Sequence, residues 1–168
     1  MNMKIISSSS KGNFIYEKNN CKVLELIFSG WFSNKANTNY KNKEIKIEPN
    51  NFWKNKFKIS EDENEKGDIN FSFKNNITIQ FIDESSKNQI FEMKCKGFWK
   101  SRYEIQDQNQ NLMITIHPKM NWKKLKQNYE IVDHSNNIAK SYFDELIIYC
   151  GFSIVIYSRI MSSVSSIS

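Results

Sequence analysis

The segment FDELIIYCGFSIVIYSRIM, Phe143 to Met161, constrains the fold of this chain more than any other. Past its acidic start it is apolar on every face, and a helix of that kind has to be buried, in a core or in a bilayer. Ser141 and Asp144 have the spacing of a capping box. Asp144 and Glu145 complement a positive helix N-terminus, and Arg159 stands where the far end of the dipole favours a cation. The uncharged stretch from Leu146 to Ser158 falls well short of the roughly 20 residues of a bilayer span. A surrounding protein core is the better solution.

The rest of the chain can supply one. From Asn13 to Tyr142, short apolar runs alternate with polar turns, and no helical period is sustained. NFIYE reads as a hairpin with CKVLELIFS, SNKANTNY with KEIKIEP, and KFKIS with DINFSF. ITIQFID reads with QIFEMKC, RYEIQD with NLMITI, and NYEIVD with NIAKSY. Tandem hairpins make an antiparallel meander. An echo runs through them: Tyr-Glu-Ile-x-Asp occurs at Tyr103 and again at Tyr129, and Ile79-x-Phe81-x-Asp83 fits the same template.

Dimensions decide how helix and strands combine. Nineteen residues of helix, at about 1.5 Å each, reach about 28 Å, and strands of this length span roughly 20–26 Å. A barrel of twelve strands has a radius of roughly 12 Å, enough for a helix about 10–12 Å across. The expected fold is mainly β: a closed antiparallel barrel of about twelve strands enclosing one hydrophobic C-terminal helix. Residues 13–161 form the single domain, with the helix at 143–161. Residues 1–12 and the serine-rich 162–168 are expected to be flexible. Gly151 and Ser153 would let the helix approach the wall closely. Aromatic content of 14% against 39% apolar residues says that large flat side chains fill much of the core. Glycine and proline are scarce, so the turns fall to asparagine. Cys21, Cys95 and Cys150 are odd in number and widely spaced. They suit a reducing compartment, and the opening MNMKIISSSS lacks the apolar run of a secretory signal, so the cytoplasm is the expected location.

YEIQDQNQNLMITI and YEIVDHSNNIAK look like the Tyr-x-Ile-x-Asp hairpins of LURP-one-related proteins. Together with the apolar C-terminal helix, the chain resembles the tubby-like superfamily, which includes the phospholipid scramblases. LELIFSGWFSNKA, IKIEPNNFWK and ELIIYCGF are similar to bacterial proteins of the same apparent architecture. The resemblance covers about Asn13 to Met161. It implies a tubby-like barrel and a lipid-related role, since tubby proteins bind phosphoinositides at a basic outer face. No stretch matches the tubby lipid-binding motif, and no segment matches the scramblase span.

Several chemistries can be weighed from the residues. Asp107-x-Asn109-x-Asn111 begins like a calcium loop, but Leu112 and Pro118 occupy the positions that need glycine and glutamate, so it reads as a turn. His117 and His134 read as solvated residues at a strand end and in a turn, Cys150 as a core side chain, and Glu61, Asp62, Glu63 and Glu65 as a solvated loop. A barrel filled by its own helix is expected to leave no interior cleft. The expectation is therefore a non-enzymatic protein without cofactor or metal.

The strongest candidate set is cationic and aromatic: Trp53, Lys54 and Lys56; Trp99, Lys100 and Arg102; Trp122, Lys123 and Lys124. If the hairpins stack in register, these gather along one side of the barrel. Tryptophan favours the membrane interface, and each lysine or arginine contributes about 1 kcal/mol near an anionic surface. The net charge of +6 agrees with anionic partners and equally with simple solubility. The reading is peripheral binding of anionic lipid head groups, at the inner membrane surface of a cytoplasmic protein. A structural or protein-interaction domain is the alternative, an enzyme the third, and nucleic acid is disfavoured as a partner.

Overall fold

The computed structural model describes residues 1–31, 33–50, 55–72, 76–97, 102–121, 126–135 and 140–165. The strands are β1 (Met3–Ser7), β2 (Phe14–Lys18), β3 (Cys21–Phe28), β4 (Ala36–Tyr40), β5 (Lys43–Pro49) and β6 (Lys56–Glu61). They continue with β7 (Asn64–Phe71), β8 (Asn76–Ile82), β9 (Asn88–Lys96), β10 (Arg102–Asp107), β11 (Leu112–Asn121) and β12 (Lys126–Asp133). One helix follows, α1 (Phe143–Ser165). Each strand pairs antiparallel with its sequence neighbours, and β1 pairs with β12, so the sheet closes.

The count of twelve agrees with the sequence reading, but the membership differs. Residues 1–12 were expected outside the barrel, yet Met3–Ser7 is a strand whose Met3 and Ile5 are buried and whose Lys4 alternates outward. MKIIS holds only two adjacent apolar residues before a run of serines, too little to read as a strand alone. Its place comes from closure, which removes the open edge that β12 would otherwise present. NIAKSY was expected to be the twelfth strand. Asn136–Ala139 lie outside the described residues, and Tyr142 belongs to the turn that leads into α1, where Phe143 N–H donates to Lys140 O at 3.1 Å.

The turns explain how so little glycine suffices. Asn19-Asn20, Lys41-Asn42 and Asp62-Glu63 are two-residue links whose residues all have positive φ, the twist-matched hairpin geometry that asparagine tolerates best. Longer turns use a carboxylate. Asp83 Oδ1 accepts from Ser85 N–H (2.9 Å) and Lys87 N–H (3.0 Å), and Asp107 Oδ1 accepts from Asn109 N–H and Asn111 N–H (both 2.9 Å). Asp133 Oδ1 accepts from Ser135 N–H at 2.9 Å. This accounts for the repeated motif: its first and third residues face inward, and its aspartate shapes the backbone that leaves the strand.

The helix is inside the sheet. Leu146 to Gly151 are six consecutive buried residues, so no face of α1 reaches water there. Rings reach it from strands spread round the circumference. Phe28 of β3 stacks on Phe152 at 5.6 Å, and Phe57 of β6 meets the same ring edge-on at 5.1 Å. Phe81 of β8 lies 5.0 Å from Tyr149, and Tyr103 of β10 lies 6.2 Å from Tyr157. Gly151 is needed, since a Cβ there would stand 2.4 Å from Phe14 Cζ on β2. The helix also runs four residues past the expected Met161, to Ser165. Ser162 Oγ and Ser163 Oγ donate to Ser158 O and Ile160 O of the helix itself, which spares polar side chains any need to uncoil it.

The acidic start of α1 is tied to the wall. Asp144 accepts from Tyr16 OH (3.0 Å) and Tyr40 OH (3.1 Å) and contacts Lys18. Glu145 Oε1 lies 2.9 Å from Lys66 Nζ. Lys66 can reach inward because Ile59 pairs with Gly67 and Ser60 with Glu65, leaving it the extra residue of a bulge. Burial pushes the Glu145 carboxyl up, against the opposing pull of Lys66.

Candidate functional site

Neighbouring strands alternate in direction, so the odd-to-even connections lie at one end of the barrel and the even-to-odd connections at the other. The two ends differ in chemistry. At the tight-turn end, where α1 begins, the short links and turns carry Asp62, Glu63, Asp83 and Glu84 beside Lys41 and Lys87. By sequence, the connections 8–13, 29–35, 50–55, 72–75, 97–101 and 122–125 hold seven lysines and neither aspartate nor glutamate. They also hold all four tryptophans of the chain, Trp31, Trp53, Trp99 and Trp122. These connections join strands at the end where α1 leaves the barrel, here called the open end.

Of the nine residues singled out in the sequence, Trp53, Lys54, Trp99, Lys100, Trp122, Lys123 and Lys124 lie outside the described residues. Lys56 and Arg102 begin β6 and β10, both at the open end. They do not converge on one side, because β7, β8 and β9 stand between them around the rim. Nor is either a lone cation: Lys56 Nζ is 3.8 Å from Asp68, and Arg102 Nη2 is 2.7 Å from Glu104. Lys35, in the connection 29–35, is likewise 3.1 Å from Glu48, and the outer wall repeats this pairing, as between Lys58 and Glu65 and between Lys119 and Glu130.

Apolar groups are exposed at the same end. Trp31 is 58% exposed, Met120 52%, and Ile160 and Met161 stand out on the last turns of α1. Trp31 escaped the Trp-Lys pattern because no lysine follows it directly. The signal that finds it is strand parity, since every tryptophan follows an odd-numbered strand.

The open end also has a cavity of about 460 Å³ between α1 and the seam of β1 and β12, which corrects the expectation of a filled interior. Its cause is local. The β1–β12 ladder ends at Ile5 and Tyr129; beyond it Ser7 N–H donates to the Asn128 side chain at 3.2 Å, so the strands part. Gly151 borders the gap, with the Phe14 ring packed against it. Ile5, Phe14, Ile154 and Val155 supply apolar lining, and Ser7, Ser9, Gln127 and Ser158 supply polar lining. Tyr129 also borders it, its phenol pushed up to about 12 by burial.

Arg159 stands at the edge of this cavity. Its Nη1 donates to Ser33 O (2.7 Å) and Asn34 Oδ1 (3.2 Å), its Nη2 to Lys11 O (2.6 Å), and its guanidinium lies 4.4 Å from the Phe28 ring centre. All the oxygens it touches among the described residues are neutral. Burial draws its pKa below the ordinary value, yet an arginine remains charged.

A second cavity, of about 490 Å³ at the tight-turn end, is lined by His134, Asp107, Lys140 and Tyr142. His134 Nε2 lies 2.7 Å from Thr115 Oγ1, and both Asp107 oxygens are taken by Asn109 and Asn111. The two groups are thus held apart in separate structural roles. Comparison with family models, with curated proteins and with solved structures finds no match for this chain.

Proposed function

We propose that the protein is a non-enzymatic module that docks its open end on anionic membrane surfaces. The observation that carries this reading is the segregation of seven lysines and all four tryptophans, without a single carboxylate, into the six connections of that end. Tryptophan favours the depth of lipid head groups, and lysine is drawn to the anionic cytoplasmic leaflet. Exposed Trp31, Met120, Ile160 and Met161 add apolar surface at the same end. The wall between the ends, with its cross-strand ion pairs, offers anions little net attraction. The resemblance to tubby-like and LURP-one-related proteins points in the same direction, and the barrel around a helix has the architecture it implies. Peripheral attachment at the inner membrane surface is the corresponding location.

The test is vesicle sedimentation with phosphatidylcholine alone and with added phosphatidylserine, at low and high ionic strength. Binding should require the anionic lipid and weaken with salt, because the attraction is screened beyond about 10 Å at 0.1 M. Indifference to anionic lipid at low salt would remove the proposal, and capture of one saturable protein partner would then promote the interaction-domain reading.

A further inference from the structure

We infer that the cavity at the parted β1–β12 seam is a binding site for one anionic amphiphile, its chain beside α1 and its charged head at Arg159. The inference deepens the membrane reading and rests on it for the source of the ligand, a lipid drawn from the surface on which the open end sits.

Size, lining and charge each contribute. A volume of about 460 Å³ falls within the roughly 300–1,000 Å³ of small-ligand sites. Ile5 and Phe14 on the wall and Ile154 and Val155 on the helix offer a chain an apolar surface. The gap lies where the ladder stops at Ile5–Tyr129, bordered by the β1–β2 connection and by the Phe14 ring that packs on Gly151.

The charge selects the head group. Arg159 is half-buried at the edge, and among the described residues it faces carbonyl and amide oxygens but no carboxylate. No acidic residue is among those described around the cavity. A partly desolvated cation without a counter-ion binds an anion more strongly than it would in water, through charge-assisted hydrogen bonds. Ser9 and Ser158, which line the same cavity, carry further hydroxyl donors. Gly12 holds the site together, because its φ of +96° and a clearance of 2.7 Å from its would-be Cβ to Val155 Cγ1 let the β1–β2 connection lie against the helix. That brings Lys11 O within 2.6 Å of Arg159.

The experiment uses monomeric amphiphiles below their micelle concentration, with no vesicles: dodecanoate, dodecyl phosphate and the neutral dodecanol, titrated by calorimetry. We expect saturable one-to-one binding of at least one of the two anions, and the tighter of them identifies the head-group chemistry. Arg159→Met should weaken the anions by about tenfold or more while leaving dodecanol within about twofold. Ser158→Trp, which fills the gap, should abolish binding of all three; thermal melts confirm that each variant folds. Absence of saturable binding, or binding unchanged in a folded Ser158→Trp protein, overturns the site. Failure here beside intact vesicle sedimentation removes only the cavity ligand. Monomer binding without vesicle sedimentation retains the site and removes the docking surface.

Discussion

Lys66 Nζ and Glu145 Oε1 meet at 2.9 Å, with 8% and 1% of their side chains exposed, and so join the barrel wall to the helix within it. The pair depends on the bulge at Lys66. It depends also on Gly67, where any Cβ would fall 2.0 Å from Gln80 O. Lys66 Nζ also meets Glu61 Oε2 at 2.5 Å, so losing Glu145 leaves the lysine paired, whereas losing Lys66 strands the Glu145 carboxylate in the interior. Lys66→Met should therefore destabilise the protein by about 3–5 kcal/mol in denaturant unfolding, whereas the double change Lys66→Met with Glu145→Leu should recover most of that loss. Equal destabilisation by the single and double variants would show that the charge pair is not the source.

Asp83 gives the fold a defined acid sensitivity. Burial pushes its carboxyl up, but the N–H of Lys87, the amide of Gln89 and the N–H of Ser85 outweigh it and hold the group below its ordinary value. With the folded pKa depressed, the stabilisation is present above the unfolded value near 3.9 and is lost as pH falls through the folded one. Asp83→Asn should cost about 1.5 kcal/mol at neutral pH. The difference from the parent should shrink as pH falls below about 4. A gap that stays constant from neutral to strongly acidic pH would contradict this assignment.

Enclosure of α1 can be read from its thiol. Cys150 is fully buried, and burial pushes its pKa far up, whereas Cys21 is exposed and Cys95 is intermediate. Since the thiolate is the reactive form, a thiol reagent should modify Cys21 first, Cys95 more slowly, and Cys150 only as fast as the barrel opens. Labelling of Cys150 at the rate of Cys21 in the folded protein would mean that the helix is not enclosed.

Trp31 separates the two ends of the barrel functionally. It is exposed, so Trp31→Ala should change stability by no more than about 0.5 kcal/mol. If the open end enters the head-group region, the same change should weaken association with phosphatidylserine vesicles by roughly five- to tenfold, in keeping with about 1 kcal/mol or more of lost apolar transfer. Ile82→Ala, at the tight-turn end, should leave association unaltered. Equal losses from the two variants would count against end-on docking.

The chain's alternating runs and one apolar helix were legible because both obey a strict period. Phe57 with Ile59, and Tyr103 with Ile105, mark an inner face unaided. What escaped depends on closure. Met3–Ser7 does not declare itself in sequence, and its pairing with β2 on one side and β12 on the other makes it a strand. The bulge that turns Lys66 inward is a two-against-one mismatch between strands, invisible along either alone. The cavity was missed for a related reason: a volume estimate treats the cylinder as uniform, whereas the seam parts beyond Ile5. The Trp-Lys pairs were noticed, but not that every tryptophan follows an odd-numbered strand in sequence, and Trp31 was passed over because it lacked an adjacent lysine.

The pairing of β1 with β12 also dictates a timetable. Once made, β1 cannot find β12 until more than a hundred further residues have emerged from the ribosome. Until then an unpaired strand margin and a greasy concave surface are open to solvent, a state prone to aggregate. The segment that fills that hollow is translated after every strand, so the sheet must wait, curled and unfinished, for its own centre to arrive.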